Sequence, residues 1–567
     1  MKKRTVIVGG VAGGASCAAR LRRLDEERDI LLLERGEYIS YANCGLPYHV
    51  GDVIKDRDDL LLFSPELMRE RFRIDVRTGH EVLKIDREGK TVTVRDRKDG
   101  SETKEHYDEL VLSTGSHPMR PPIPGIDSDK VRTLWTVPDA DKIRQMARNS
   151  GIGSAAVIGG GFIGLEIAEN LREDGLDVSI VEAMDQVLPP IDLEMAKLVQ
   201  EEIVKNGVHL YLNDPVEKFE DITEGGKEMV RVTTGSGASV TAELVVLSIG
   251  IRPNTELAKN AGLELNERGF VVVGDDMRTS DPSIFAVGDI VETEDIVTGG
   301  RGQYQLAGPA NKQGRVAADQ IAALGGMTGA EGFPSVYKGT QGTSIAKVFS
   351  LAAGMTGQSE KALIRAGKKE GRDYDKVYVK QNQHAGYYPG AVPMMMKLLF
   401  TPDGSRILGA QIVGKEGVDK RIDTIAEAIR FKAKATDLAD LECAYAPPFS
   451  SAKDPVNMAG FVIRNYLNGL VKFAEWDTPD KEKDAQLLDV REDGERKIYS
   501  IPGAVGIPLG TLRESLDRLD KKKPVVVFCA IGVRAYNAAR ILQQNGFEDV
   551  RVYPGGAGFY RSTHYDA

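Results

Sequence analysis

The sequence is poor in cysteine, since only Cys17, Cys44, Cys443 and Cys529 occur among its 567 residues. Four cysteines are too few for a framework of structural disulfides in so long a chain, and we therefore expect a reducing, cytoplasmic environment. Long apolar stretches are also absent, because no run approaches the roughly 18 residues that a membrane-spanning helix requires. The chain is thus expected to have no transmembrane helix and no membrane partner.

Positive charge is not in excess either. Lysine and arginine number 74 against 84 aspartate and glutamate residues, which gives a formal net charge of −10. This balance argues against a nucleic-acid-binding protein that relies on bulk positive charge. With 41% apolar and 28% charged residues, the composition is that of a globular protein. At about 150 residues per domain, the length predicts roughly three or four domains.

The first 17 residues have the basic start, apolar stretch and small residues of a signal peptide, and Cys17 stands where a lipoprotein cysteine would. Four glycines interrupt that stretch, at Gly9, Gly10, Gly13 and Gly14, and a charged helical pattern follows without a break. A strand, a glycine turn and a helix are therefore the better interpretation. A second strand that closes on Glu34 completes a βαβ unit.

The same design returns at residues 155–182, where the glycine pattern is complete at Gly159, Gly161 and Gly164. The first glycine permits a tight turn, the second lets the backbone approach a pyrophosphate, and the third lets helix and strand pack closely. Glu182 ends the following strand, where a carboxylate accepts a hydrogen bond from a ribose 2′-hydroxyl and repels a 2′-phosphate. We therefore expect NADH to be preferred to NADPH; the alternative is a glycine-rich turn that holds no ligand.

The first glycine turn departs from this pattern, because Val11 stands where the middle glycine is expected. Taken with Ser-Thr-Gly at 113–115 and Ala-Val-Gly-Asp at 286–289, however, the two units resemble the FAD/NAD(P)-dependent pyridine nucleotide-disulfide oxidoreductases, from residue 4 to about residue 465. The resemblance implies that the first unit holds FAD and the second holds NADH. The cofactor-binding residues it implies are Gly9, Gly10, Gly13, Gly14, Glu34, Thr114, Gly115, Gly288 and Asp289, then Gly159, Gly161, Gly164, Glu166 and Glu182, with Phe162 as an aromatic gate over the flavin.

Cys44 stands in the stretch ISYANCGLPYH, and the residue five positions later is His49 rather than a second cysteine. Cys44 therefore cannot form a local disulfide of the kind most members of this family carry. It must store oxidising equivalents as a mixed disulfide with an outside thiol or as a sulfenic acid. The alternative is a small buried core cysteine without a redox role.

The stretches SYANCGLPY, AGYYPG at 385–390 and AYAPPFSSAKDPVN at 444–457 resemble the coenzyme A disulfide reductases. This resemblance implies a homodimer in which Tyr387 and Tyr445 reach the redox sulfur of the other subunit, although Tyr388 is an alternative to Tyr387. The tyrosines could also serve only to pack a dimer interface. Relatives that reduce oxygen or peroxide carry a histidine in the first glycine turn, and the matching residues here are Val11 and Ala12.

Coenzyme A needs cations and polar groups for its phosphates. Ser16, Arg20 and Arg23 are spaced to share one face of the first helix. The resemblance implies coenzyme A contacts at Ser16, Arg23, Ser40, Asn43 and Lys453. Arg20 stands where relatives can carry a polar residue, and Arg71 and Arg73 are looser candidates. For each of the charged residues the alternative is a solvated surface charge.

The last part of the chain begins after the polar segment 476–484, which predicts a linker, and restarts an α/β pattern. Cys529 follows an apolar strand, and the loop to Arg534 opens a helix, so that backbone N–H groups would point at the thiol. With LLDVRE, IPGAVGIPL and YPGGAGFY, this Cys-x-x-Gly-x-Arg loop resembles the rhodanese domain, which carries a persulfide on the cysteine. A cysteine phosphatase would need a longer loop, and an inert appended domain is the remaining alternative.

The predicted fold class is α/β, with two interleaved Rossmann-like dinucleotide-binding domains, an α+β dimerisation domain and a C-terminal rhodanese domain. The expected boundaries are FAD-binding at 1–150 and 271–330, NAD-binding at 151–270, dimerisation at 331–470 and rhodanese at 485–567. The resemblance covers nearly the whole chain and implies an NADH-dependent flavoprotein that reduces persulfide, polysulfide or coenzyme A disulfide. Cys44, Cys529, Tyr387, Tyr445 and Arg534 would be catalytic, and no metal is expected. An NADH oxidase or peroxidase that works through a Cys44 sulfenate and a non-reductive sulfurtransferase remain as alternatives.

Overall fold

The computed structural model describes residues 2–148 and 152–565. The predicted domain boundary between residues 150 and 151 and the chain ends at 1 and 567 lie outside the described residues. The chain divides into two compact units. The first runs to Val181 and resumes at Pro215–Thr340; the second consists of Glu182–Asp214 and the residues from Gln341 onward.

The first unit contains a parallel sheet whose strands lie in the order Ile284–Ala286, Glu109–Leu112, Arg4–Val8, Asp29–Leu33 and Asp75–Arg77. The first four of these strands are mostly apolar and buried, as expected for a sheet covered on both faces, whereas only Val76 is buried in the edge strand Asp75–Arg77. The helices Ala12–Leu24 and Ala307–Leu324 pack closely together, because a Cβ at Gly314 would lie 2.3 Å from the Gly13 carbonyl oxygen. The helix Ala12–Leu24 begins shortly after the central strand Arg4–Val8 ends, as the glycine pattern predicts.

A second parallel sheet in this unit repeats the design, with strands Asp177–Val181, Ser154–Ile158, Leu244–Leu247 and Val131–Thr133 in that order. The helix Phe162–Glu173 packs on two of these strands. Further helices are Leu46–Val50, Pro65–Phe72, Val137–Ala147 and Glu256–Asn260. Smaller sheets use the strands His80–Asp86, Thr91–Asp96, Glu102–His106, Ser116–Pro118, Val216–Glu224, Lys227–Thr234, Ser239–Ala242, Ile251–Pro253, Val271–Val272, Val291–Glu294 and Arg301–Gly302. Their pairing is antiparallel except between Val271–Val272 and Val291–Glu294, which pair in parallel.

The second unit is built on an antiparallel sheet of strands Ser344–Val348, Leu351–Gly357, Ile407–Gly414, Pro393–Phe400 and Asp375–Asn382. The helices of this part are Leu193–Lys205, Glu360–Arg365, Val418–Arg430 and Pro455–Leu467, and a short strand spans His209–Tyr211. A C-terminal parallel sheet follows, with strands Val505–Gly506, Gln486–Asp489, Val525–Phe528 and Val550–Val552. Its helices are Asp493–Ile498, Val533–Gln544 and Gly556–Thr563. The predicted α+β and α/β patterns are therefore both present in this unit.

Residues 476–484, predicted as a polar linker, are packed only in their first part, since residues 480–484 are exposed. The helical turn Thr478–Lys481 has Pro479 in its first turn, and Thr478 is buried. The Trp476 carbonyl accepts a hydrogen bond from the Tyr553 hydroxyl at 2.7 Å. Val471, just before this segment, belongs to the core of the C-terminal sheet. The composition of the segment misled the sequence prediction because its packing uses a backbone carbonyl and the buried Thr478, neither of which gives an apolar signal.

No helix among the described residues is both long and apolar enough to cross a membrane.

A buried ion cluster lies in the second unit. The carboxylates of Asp192, Glu194 and Glu360 come within 4.8 Å of one another, an arrangement that could hold a metal ion. The ammonium of Lys397 occupies it instead, with Nζ at 2.9 Å from Asp192, 2.5 Å from Glu194 and 2.6 Å from Glu360. Burial alone would raise the pKa of Asp192 and of Glu360. Lys397, together with the Lys361 N–H and Gln411 at Asp192 and with Lys376 at Glu360, outweighs burial, and both pKa values are lowered.

We expect Lys397→Met to reduce the free energy of unfolding by about 3 kcal/mol or more, because it leaves the buried carboxylates of Asp192 and Glu194 without their cation, whereas Glu360 keeps Lys376 at 2.7 Å. Carboxyl groups with lowered pKa values stabilise the protein above their ordinary pKa, and this stability is lost as the pH falls through the lowered values. The deficit of the variant should therefore shrink on acidification. Urea unfolding of wild type, Lys397→Met and the exposed control Lys415→Met at neutral and acidic pH measures it; a deficit independent of pH would contradict this account.

Candidate active sites

The first glycine turn requires glycine at two positions. Gly9 has a φ of +98°, and a Cβ there would lie 2.1 Å from the Ser113 carbonyl oxygen. A Cβ at Gly14 would lie 1.9 Å from the Gly9 carbonyl oxygen, so the helix could not approach the strand with any other residue. The helix Ala12–Leu24 begins after Val11 without a side-chain cap.

The second turn has the same geometry. Gly159 has a φ of +105°, and a Cβ at Gly164 would lie 2.0 Å from the Gly159 carbonyl oxygen. Gly161 precedes the helix Phe162–Glu173, which has no side-chain cap, and a Cβ at Gly161 would meet no heavy atom within 4 Å. This open backbone at a helix start fits the approach of a phosphate group. Because Gly9 and Gly14 of the first turn have nearly the same geometry as Gly159 and Gly164, Val11 in place of the middle glycine leaves the first turn intact.

The two acidic residues predicted to recognise ribose are both fixed by backbone groups. The Glu34 carboxylate accepts hydrogen bonds from the N–H of Gly10 at 2.9 Å and of Gly36 at 2.7 Å. In the second unit, the Glu182 carboxylate accepts from the N–H of Met184 at 2.8 Å and is buried. Each carboxylate follows the second strand of its βαβ unit and has a defined position before any ligand arrives.

Asp289 lies in the short 3₁₀ turn Gly288–Ile290. Its carboxylate accepts a hydrogen bond from the Ser116 hydroxyl at 2.5 Å. Burial raises the pKa of Asp289 despite this hydrogen bond. Such a half-buried carboxylate can accept further hydrogen bonds from the hydroxyl groups of a ligand.

Thr114 and Gly115 lie next to this turn. The Thr114 hydroxyl donates to the Asn254 carbonyl oxygen at 2.6 Å, and the Asn254 side chain donates back to the Thr114 carbonyl oxygen at 2.8 Å. A Cβ at Gly115 would meet nothing within 4 Å, so its backbone is also open. Asn254 was not singled out in the sequence, because its partners lie about 140 residues away and no motif marks it.

Cys44 is an exposed free thiol in the 3₁₀ turn Asn43–Gly45, which leads directly into the helix Leu46–Val50. Surrounding protein still raises the pKa of its thiol, chiefly by desolvation and then by the nearby Glu166 carboxylate. Cys17, by contrast, is fully buried, and burial raises its pKa to about 12. The alternative of an inert core cysteine therefore describes Cys17 and not Cys44.

A carboxylate and a phenol lie beside Cys44. Glu166 hydrogen-bonds the Tyr48 hydroxyl, and burial, together with the neighbouring Glu169, raises the pKa of Glu166 to about 7. Burial also raises the pKa of Tyr48 to about 12. This pair can hold and release a proton near neutral pH. Tyr48 was missed in the sequence, although it stands four residues after Cys44.

In the second unit, the hydroxyls of Tyr387 and Tyr445 lie 2.9 Å apart. Tyr387 is 76% exposed and Tyr445 49% exposed, and the neighbouring Tyr388 and Phe449 are also exposed. The hydrogen bond to Tyr445 raises the pKa of Tyr387. Tyr388 instead places its ring edge-on to His384, at 5.5 Å between ring centres. Tyr387, rather than Tyr388, thus forms the phenol pair with Tyr445.

The residues expected to contact coenzyme A differ in their availability. Arg20 forms an ion pair with Asp319 at 2.8 Å, and the Ser16 hydroxyl contacts the Asn311 side chain. Arg23 is exposed and lies over the Phe72 ring at 5.4 Å. Of the other residues expected to contact coenzyme A, Arg71 and Lys453 are exposed and Asn43 is half-buried. Ser40 is also half-buried, and its backbone φ is +45°. Arg23 and Arg71 are therefore better placed for an anionic ligand than Arg20.

Cys529 is 1% exposed and directly follows the strand Val525–Phe528. The Gly532 N–H points at its sulfur, with N and Sγ 3.1 Å apart, as the inward-pointing loop predicts. Arg534 binds the Glu495 carboxylate through both terminal nitrogens, at 2.6 and 2.7 Å. This hydrogen bonding lowers the pKa of Glu495 to about 2. Glu495, which holds Arg534, carries no sequence signal.

Three family models match the chain. Residues 3–314 match the pyridine nucleotide-disulphide oxidoreductase model, residues 343–455 match the dimerisation domain of that family, and residues 474–558 match the rhodanese-like domain. The first match alone covers more than half of the chain.

Known proteins resemble the chain over most or all of its length. Coenzyme A disulfide reductase of Staphylococcus aureus strain JH9 is 34% identical over 458 residues, which are 81% of this chain and 99% of that protein. The crystal structure of reduced Bacillus anthracis CoADR-RHD is 45% identical with a TM-score of 0.92, covering 99% of this chain and 98% of that one. The NAD-dependent persulfide reductase from A. fulgidus is 38% identical with a TM-score of 0.89, covering 98% and 100%.

Proposed function

The chain belongs to the pyridine nucleotide-disulphide oxidoreductase family, and we propose that it is an NADH-dependent flavoprotein that reduces coenzyme A persulfide, polysulfide or coenzyme A disulfide. The observation that carries the proposal is the exposed Cys44 thiol, which has no second cysteine within local reach and stands beside the Glu166–Tyr48 pair. A second sulfur site, at Cys529, lies in the rhodanese-like domain. The proposed domains keep the boundaries expected from the sequence.

The residues present fit the two cofactors. Both glycine turns have the geometry that a dinucleotide needs, and Gly115 and Gly161 leave open backbone. Glu34, Thr114, Gly115, Gly288 and Asp289 would hold FAD, while Gly159, Gly161, Gly164 and Glu182 would hold NADH. Bound FAD supplies a carrier that accepts two electrons from NADH and passes them to sulfur.

Cys44 performs the sulfur chemistry in this proposal. Its thiolate attacks the outer sulfur of a persulfide R–S–SH, which forms Cys44–S–SH and releases R–S⁻. Two-electron reduction of the new S–S bond returns the Cys44 thiolate and releases hydrogen sulfide. With coenzyme A disulfide the same attack forms a Cys44–coenzyme A mixed disulfide and releases one coenzyme A thiol.

Protons for the leaving thiols come from groups already beside Cys44. Glu166, with a pKa of about 7, is partly protonated at neutral pH, and it exchanges a proton with the departing sulfur directly or through Tyr48. In a homodimer, the Tyr387–Tyr445 pair would reach the redox sulfur of the other subunit and stabilise its thiolate by hydrogen bonding. The exposed aromatic groups around this pair suit an interface.

The decisive experiment is anaerobic turnover. With coenzyme A persulfide, NADH consumption should release one hydrogen sulfide and one coenzyme A thiol per NADH, and polysulfide and coenzyme A disulfide are the comparison substrates. Turnover that occurs only with oxygen or peroxide would replace this function by an oxidase or peroxidase working through a Cys44 sulfenate. A flavin spectrum that NADH does not bleach would leave a non-reductive sulfurtransferase.

We expect NADH to exceed NADPH in kcat/KM by at least about tenfold, or roughly 1.4 kcal/mol. The buried Glu182 carboxylate repels a 2′-phosphate and accepts from a 2′-hydroxyl. Glu182→Ala should narrow the ratio, whereas Glu173→Ala, an exposed acid on the helix Phe162–Glu173, should leave it unchanged. Equal kcat/KM values for the two cofactors in the wild type would refute the role of Glu182.

A further inference from the structure

We propose that Lys380, a residue of the sheet outside the rhodanese-like domain, supplies the cation that stabilises anionic sulfur on Cys529. The inference rests on the proposed function in one respect, namely that Cys529 carries sulfane sulfur. Lys380 lies on the strand Asp375–Asn382, within the residues that match the dimerisation domain and well before the range 474–558 that matches the rhodanese-like domain.

The side chain of Lys380 reaches the backbone that holds the Cys529 loop. Its ammonium donates to the Gly555 carbonyl oxygen at 3.4 Å, and a Cβ at Gly558 would lie 3.2 Å from Nζ. The same short segment bonds Cys529, because the Ala557 N–H donates to the Cys529 carbonyl oxygen at 2.9 Å. Gly556 packs so closely that a Cβ there would lie 2.2 Å from that oxygen. Lys380 and Cys529 therefore flank the start of the helix Gly556–Thr563 together.

The cation within the loop itself is already paired. Arg534 gives both terminal nitrogens to Glu495, so much of its charge is offset before any substrate binds. Arg561, on the helix Gly556–Thr563, is exposed and lies over the Tyr499 ring at 5.8 Å. Arg491, which lies over the Phe528 ring, is also paired, with Asp489 at 2.8 Å. Lys380 is instead a half-buried cation whose ammonium contacts a carbonyl oxygen beside the Cys529 loop.

The charges around Lys380 favour an anion at Cys529. Burial lowers the pKa of Lys380, and Arg561 lowers it further, while charge on Cys529 and on Glu201 raises it. The ammonium is thus short of negative charge when Cys529 is a neutral thiol. A thiolate or persulfide anion at Cys529 supplies the missing charge, and the ammonium stabilises that anion in return.

The transfer reaction shows where this charge is needed. With thiosulfate as donor, the Cys529 thiolate attacks the outer sulfur, the S–S bond of thiosulfate breaks, and sulfite leaves with the electron pair. The product is the Cys529 persulfide anion. Cyanide then attacks the outer sulfur of the persulfide, which forms thiocyanate and restores the thiolate. Negative charge sits on Cys529 before and after each step, and Lys380 offsets it throughout.

The test uses the full-length flavoprotein with Cys44→Ser as background, so that Cys529 alkylation can be followed without the exposed redox thiol. Lys380→Met, Lys380→Gln and Lys380→Arg are compared with the exposed control Lys368→Met. Two quantities are measured: the pH dependence of iodoacetamide alkylation at Cys529, identified by peptide mass, and thiosulfate:cyanide transfer. The circular-dichroism spectrum and the midpoint of thermal unfolding report whether each variant is folded.

We expect Lys380→Met and Lys380→Gln to shift the pH profile of Cys529 alkylation to higher pH by about one unit, because the ammonium no longer stabilises the thiolate. A shift of one unit lowers the thiolate fraction about tenfold, so transfer at pH 7 should slow about tenfold. Lys380→Arg should restore most of both quantities, and Lys368→Met should resemble the background protein. An unchanged profile in Lys380→Gln, which keeps a polar group near the Gly555 carbonyl, would overturn the proposal. If the background protein transfers no sulfur at all, the proposed function of Cys529 fails, while the alkylation profile still decides the role of Lys380.

Discussion

Replacing Cys44 by serine is expected to lower NADH-driven reduction of coenzyme A persulfide and coenzyme A disulfide by at least about 1,000-fold. The serine oxygen has nearly the same size but cannot form the S–S bond on which the proposed reaction depends. Binding of FAD and its reduction by NADH should remain, because the glycine turns, Glu34 and Asp289 are untouched. Anaerobic steady-state NADH consumption measures the loss, and stopped-flow bleaching of the flavin measures what is retained.

The matched control for this experiment is Cys443→Ser. Cys443 is also a free thiol and is half-buried, so the substitution is chemically identical in a different part of the chain. We expect it to keep most of the wild-type rate. Normal turnover in Cys44→Ser would remove Cys44 from the mechanism, and an equal loss in Cys443→Ser would show that the effect is not specific to the proposed redox sulfur.

The second large effect is expected at Cys529. Cys529→Ser should lower thiosulfate:cyanide transfer by at least about 1,000-fold, because the sulfur that accepts the sulfane atom is gone. Reduction of polysulfide and of coenzyme A persulfide, which diffuse freely to Cys44, should be spared. Reduction of a protein persulfide that first deposits its sulfur on Cys529, in the loop where the Gly532 N–H points at Sγ, should be impaired.

The measurement compares NADH consumption with all three donors in wild type and in Cys529→Ser. A selective loss with the protein persulfide supports a hand-over from one cysteine to the other. If the three donors respond alike, including no loss with any of them, the hand-over does not occur and the C-terminal domain acts independently of Cys44.

The sequence was sufficient for those parts of the fold that depend on local patterns. Gly9 and Gly14, like Gly159 and Gly164, are required where a helix and a strand come into backbone contact, and no larger residue fits. The apolar strands on either side of these turns are equally distinctive. The prediction of paired βαβ units was correct even though Val11 breaks the motif, because the middle position does not determine the turn.

Other features depend on residues that are far apart in the sequence. Asn254 supports Thr114, Glu495 holds Arg534, and Lys380 approaches Cys529 from another domain of the chain. None of these three has a recognisable spacing to its partner. The packed first part of 476–484 was predicted as a linker for a related reason, since its composition is polar and its buried contacts are tertiary. Tyr48 is different, because it lies close to Cys44 and only its bond to Glu166 reveals a role.

The packing of Val471 and Thr478 has a consequence for how the second unit responds to heat. Val471 belongs to the core of the C-terminal sheet, Phe473 pairs with Val552 and also contacts Tyr378 of the antiparallel sheet, and Tyr466 packs against the same core. Domains that share side chains in this way cannot lose their cores independently. A scanning calorimeter should therefore record the antiparallel sheet and the C-terminal domain as one cooperative transition. In a protein cleaved after residue 474, Val471 and Phe473 remain covalently joined to the antiparallel sheet and not to the C-terminal sheet, and this cooperativity should be lost.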